Sequence, residues 1–241
     1  MHIETDLVVD RMAISDAISF DGTHCSHMRL SSVSLEKSSY EGVDPLNIQG
    51  FNEIAKIIVS VGRFAVVRMH KGLTNKLSNV CKPVLIDIEQ KLDFLDKLRF
   101  NLASFGNWLE REQVQMAEAM KAATTEAQQR DILRHFIMRL LREMNGVTQA
   151  INDVAHARDM SAYERNREKL EGLPQGEYRM VETFYYNYRI FTSSFARNAG
   201  LYNHALSQDV PELALAIESL MNIAQSASSM IKATGDIFGK K

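Results

Sequence analysis

Three stretches of the chain repeat apolar residues at intervals of three and four. Ile54, Ile57, Ile58, Val61, Phe64, Ala65 and Met69 form the first. Leu92, Leu95, Leu98, Leu102, Phe105 and Leu109 form the second. The third is Ile132, Leu133, Phe136, Ile137, Leu140, Leu141 and Met144. Such spacing gathers each set on one face of an α-helix. An amphipathic helix draws most of its stability from burying that face, so each stripe needs a partner.

Punctuation sets the expected helix ends. The pattern predicts a first helix over about 45–79, weakened by Gly62 and Gly72. Pro83 suits the first turn of a second helix, running from about Val84 to Ala123. Gly106-Asn107 is the expected kink in it. Thr125-x-x-Gln128 is a capping-box pattern, so a tight reversal is expected at Thr124-Thr125, with a third helix over about 126–170; the alternative is one uninterrupted helix through Thr124-Thr125. Asn145-Gly146 is a candidate bend in that helix. The Gly172–Gly176 stretch reads as a loop, followed by helices over about 177–206 and from Pro211 to Thr234. Gly235 to Lys241 is expected to fray.

Residues 1–47 do not share this pattern. Short alternating stretches at His2–Val9 and Met28–Leu35, with a turn signal at Asp21-Gly22, fit an irregular arm containing a short β-hairpin. The predicted fold is therefore all-α: an elongated bundle of about five helices with two long antiparallel helices as its spine, preceded by an acidic N-terminal arm (1–47) and comprising a helical domain over 48–241. The stripes of the two long helices extend further than the two C-terminal helices can cover. Surplus apolar stripe is most simply buried by self-association.

Charge sharpens this division. Residues 1–47 carry eight acids against three basic residues, a net of −5, whereas 48–82 carry six basic residues against Glu53, a net of +5. The whole chain has a formal charge of only −2, so nothing marks it as a nucleic-acid binder. Two cysteines make no disulfide framework, and the opening MHIETDLVVD lacks the basic and apolar regions of a secretory signal. A cytoplasmic protein is expected. The Ile54–Met69 window, with Lys56, Arg63 and Arg68, is too short and too charged for a transmembrane span.

Candidate chemistry is sparse. His24, Cys25 and His27, with Asp21 nearby, form the densest set of potential metal ligands, but no second pair lies close in sequence. Asp153-x-x-His156 is a single carboxylate–histidine pair, and a ferritin-like di-iron centre needs more. Phe184, Tyr188, Phe191 and Phe195 follow helical spacing with arginines between them; this is expected to be a core stripe rather than a base-stacking platform. Tyr185, Tyr186 and Tyr202 point to other faces of that helix and are candidates for a partner contact. Trp108, the only tryptophan, is a candidate packing anchor or interface residue. No phosphate loop, nucleophile elbow or Cys-x-x-Cys is present, and Cys81 beside Lys82 reads as an inert thiol.

These observations lead to a non-enzymatic helical interaction or assembly protein without metal or cofactor, partnered by itself or by another protein. Its expected contact residues are Ile3, Leu7, Val8 and Val9 in the arm, Arg63, Arg68 and Lys71 in the basic helix, and Trp108, Tyr185 and Tyr186. The alternative is a membrane-active helical protein, either a pore-forming component or a membrane-remodelling scaffold, that lays the basic 48–82 helix on a lipid surface.

Overall fold

The computed structural model describes residues 48–208 and 213–239, with side chains from Ile54 to Gln208 and from Leu215 to Gly239. The expected β-hairpin, Ile3, Leu7, Val8 and Val9, and the His24, Cys25 and His27 group all lie outside the described residues. The described part is all-α.

Helix α1 spans Ile48–Ser60 and ends in a single 3-10 turn, Val61–Arg63. Helix α2 is Lys71–Val80, and α3 runs 41 residues without interruption from Lys82 to Ala122. Helix α4 covers Glu126–His156. Two short helices follow, α5 (Ser161–Arg165) and α6 (Arg167–Leu170). Helix α7 is Gln175–Ser207 and α8 is Leu213–Phe238. Helix α3 packs against α1 and α4, α7 packs along α8, and α4 meets α7.

Several boundaries follow from local chemistry. Thr125 is extended and accepts from the backbone N–H of Gln128, whose side chain accepts from Thr125 N–H at 3.2 Å. This reciprocal cap stops one helix and starts the next within three residues. Pro83 sits in the first turn of α3, where its missing N–H costs nothing.

The expected single helix over 45–79 is not formed. The chain leaves helical geometry after Arg63, and Phe64–His70 connects α1 to α2. Three contacts explain the break. At Gly62 an added Cβ would meet Ala103 Cβ at 2.8 Å, so the turn lies directly against α3. Val67 N–H donates to Thr234 Oγ1 at 3.1 Å, a bond a helical Val67 would spend on its own helix. His70 is extended and its Nδ1 accepts from Leu73 N–H at 3.1 Å, which starts α2 afresh. Phe64 and Ala65 are consequently exposed, while Ile54, Ile58 and Val61 remain in the core.

The expected helix over 126–170 also ends early, at His156. Asp159 accepts from both the backbone and the hydroxyl of Ser161, at 2.8 and 2.7 Å. This local turn competes with helix continuation. A third correction concerns the C-terminus: Gly235–Phe238 is helical rather than frayed. Ile237 and Phe238 are buried, and the Phe238 ring lies 5.5 Å from that of Phe184.

The expected kink at Gly106 has another explanation. A Cβ there would meet Val59 Cγ2 at 2.7 Å and Val59 N at 2.9 Å, so glycine lets α1 and α3 approach closely. α3 and α4 each run continuously through Gly106 and Gly146.

Leu95, Leu102, Phe105, Phe136, Leu140 and Met144 are all buried, as the periodicity predicts. They are buried within one chain, because α1, α7 and α8 supply the cover. Outside these stripes, Ile86, Phe100 and Val114 of α3 and Met138 of α4 are exposed.

Candidate functional site

The most chemically loaded place in the interior joins α3, α7 and the α4–α5 connection. Lys91 is only 2% exposed. Its Nζ donates to Asp87 Oδ1 and to the Asp159 carbonyl, both at 2.7 Å, and stands 5.2 Å from the centre of the Tyr188 ring. Tyr185 Oη donates to the other Asp87 oxygen at 2.6 Å. The Tyr185 ring stacks on Tyr163 of α5, with centroids 4.4 Å apart. The i, i+4 spacing of Asp87 and Lys91 puts both on the α3 face that meets α7.

This cluster has the look of an acid–base site, yet its groups are committed to one another. Both Asp87 oxygens accept, and Lys91 is held by a carboxylate, a carbonyl and a ring. Burial pushes the Tyr185 hydroxyl well above the usual tyrosine value, and the Asp87 carboxylate adds to the shift. The Tyr188 hydroxyl, raised mainly by burial, is unpartnered. No open cavity leads to any of them among the described hollows. The arrangement fastens the α4–α5 connection to α3 and α7.

A half-exposed ion pair links α3 and α4. Arg139 NH1 lies 2.5 Å from Glu112 Oε1, and the neighbouring Gln113 amide is buried with no partner at either end. Among the described residues no group of three or more metal-ligating side chains lies together. His156 Nδ1 is 2.6 Å from the Asn152 carbonyl, and Asp153 accepts from Gln149, so the Asp153–His156 pair has no shared focus. Cys81 is buried at the α2–α3 junction.

The outward face of α7 is different. Tyr186 is 65% and Ile190 54% exposed, and Leu201 continues the same face. Arg179 and Arg197 lie on that stripe as well, by helical spacing. Beside it, along the seam with α8, are two open hollows of about 280 Å³ each. One lies among Ile190, Phe191, Ser194, Ser226, Ser229 and Met230. The other lies among Arg179, Met180, Thr183, Asp236 and Ile237. Each falls just below the roughly 300–1,000 Å³ usual for small-molecule sites.

The contact residues expected from sequence that lie among the described residues fall on several elements. Arg63 is exposed at the end of the 3-10 turn. Arg68 is tied to Asp93 at 2.6 Å and approaches Asp96. Lys71 opens α2, and Trp108 stacks on Phe105 at 5.9 Å. Tyr186 is exposed as expected, but Tyr185 and Tyr202 are buried. Tyr202 Oη donates to the Met144 carbonyl at 2.5 Å. Helix α7 is covered on more than one side, so residues flanking the Phe184–Phe195 stripe are also interior. Ile190, flanked in sequence by Arg189 and Phe191, carries no signal of exposure until the cover of α7 is known.

No family model matches the chain, and neither the curated proteins nor the solved structures include a match. No helix among the described residues is long and apolar enough to cross a membrane.

Proposed function

We propose that this chain is a non-enzymatic helical assembly protein: a self-associating cytoplasmic subunit, with α3 and α4 as the spine of its bundle and the acidic 1–47 arm as a separate element. The observation that carries this reading is the exposed apolar face of α7. Tyr186 and Ile190, both more than half exposed, sit next to two apolar hollows on the α7–α8 seam. Large side chains of this kind adjoining shallow hollows mark protein contact surfaces more often than substrate sites. The Asp87–Lys91–Tyr185 cluster supports the same view, since its polar groups are committed to one another in holding the fold.

The membrane-active alternative relied on one continuous basic helix over 48–82. That helix is divided into α1, a turn, a connection and α2, and its Arg68 is paired with α3. No specific observation now favours it.

Multi-angle light scattering on the full chain at micromolar concentration tests the proposal. A dimer or larger assembly is expected. A monodisperse monomer across the accessible concentration range overturns self-association.

A further inference from the structure

We propose that the α7–α8 seam is the docking site for the Ile3–Asp10 segment of a neighbouring copy of this chain. The inference rests on the assembly reading and names the occupant of its contact face. Charge and apolar order match. On α7, Tyr186 and Ile190 lie between Arg179 and Arg197. In the arm, the apolar run Leu7-Val8-Val9 lies between acids, with Glu4 and Asp6 before it and Asp10 after it. Arg179 and Arg197 are roughly 27 Å apart along the helix, at 1.5 Å per residue. An extended Glu4–Asp10 spans roughly 20 Å, and two arginine side chains can close the difference.

The hollows supply room for the apolar run. Ser194, Ser226 and Ser229 keep one of them shallow-walled beside Ile190, and Thr183 keeps the other open beside Arg179. Asp236 lines that second hollow and opposes an acidic ligand there, so the arginines set the register and the apolar side chains provide the hold. Reach is not limiting. The 37 residues between Asp10 and Ile48 extend to roughly 120 Å, more than twice the roughly 50 Å length of α7. Exchange of such an arm between copies is an economical route to assembly.

Site-specific photocrosslinking reads the occupant directly. The full chain is made with benzoylphenylalanine in place of Ile190, irradiated and digested, using a mixture of nitrogen-15-labelled and unlabelled chains. The expected product joins the α7 peptide to a peptide within residues 1–11, with one partner labelled and the other not. Arg179→Glu combined with Arg197→Glu should lower its yield about fivefold, as loss of two partly exposed ion pairs implies. Adding Asp6→Lys and Asp10→Lys should restore it. A crosslink to any other segment, no crosslink, products confined to one label, or a yield indifferent to charge reversal overturns the proposal. Light scattering on the same samples reads assembly separately: a multimer lacking the arm crosslink sinks the docking while leaving self-association intact.

Discussion

Tyr185 Oη donates to Asp87 Oδ2 across 2.6 Å and so ties α7 to α3, 98 positions apart in the chain. A hydrogen bond to a charged acceptor contributes about 1.5–3 kcal/mol. Asp87 keeps Lys91 as a partner and its side chain is 17% exposed, so the lower end applies. Tyr185→Phe is expected to cost about 1.5 kcal/mol in urea unfolding. Lys91→Met removes the cation and leaves both Asp87 Oδ1 and the Asp159 carbonyl without it. It is expected to cost more, about 3 kcal/mol. Equal effects of the two variants would contradict the picture of Lys91 as the hub.

The glycines of α3 and α4 give a matched pair. Gly106→Ala forces a Cβ to within 2.9 Å of the Val59 backbone nitrogen, and backbone cannot step aside as a side-chain tip can. Overpacking costs of about 1–3 kcal/mol should outweigh the gain in helix propensity. Gly146 meets nothing within 4 Å, so Gly146→Ala should stabilise by up to about 1 kcal/mol. Thermal or urea unfolding of the two variants should shift in opposite directions.

Alkali provides a third test. Burial raises the Tyr185, Tyr188 and Tyr202 hydroxyls above the ordinary value of 10.0, and Tyr163 is raised as well. A group whose folded-state value is raised gives its full stabilisation below the unfolded value and loses it as pH climbs towards the folded one. Stability should therefore decline above about pH 10. Four of the seven tyrosines should ionise only together with loss of helicity. Absorbance at the tyrosinate band, followed beside circular dichroism, shows whether they do; all seven ionising in one step while helicity persists would contradict the buried placement.

At acid pH the sign reverses. Glu177, in the first turn of α7, pairs with Lys76 of α2, and that hydrogen bond holds its carboxyl below the usual 4.5. A lowered value gives stabilisation that is present above 4.5 and lost as pH falls below it. Glu177→Gln should narrow the stability difference between pH 7 and pH 3.5, measured as the urea midpoint. An unchanged difference would show that the pair does not couple α2 to α7.

Much of the fold was legible because it is written locally. The stripes of α3 and α4, and the Phe184–Phe195 stripe of α7, each identify a buried face from a few neighbouring residues. The Thr125–Gln128 cap needs only four residues to act, and it places the reversal correctly. What could not be read was set by partners distant in sequence. The break after Arg63 depends on Ala103 and Thr234, and the buried Phe238 depends on Phe184. The same cause hid the exposed face of α7. Tyr185 and Tyr186 are adjacent and chemically identical, yet one meets Asp87 and the other meets solvent, because α7 is covered on some sides only.

The proposed role of α7 as an assembly face is tested most directly by comparing the solution mass of the full chain with that of a Tyr186→Glu, Ile190→Lys double variant, by light scattering at equal concentration. Both positions are exposed, so the variant should keep its helicity and unfolding midpoint. The expected result is a dimer or larger assembly for the full chain and a monomer for the variant. Equal masses, with both proteins folded, would contradict it.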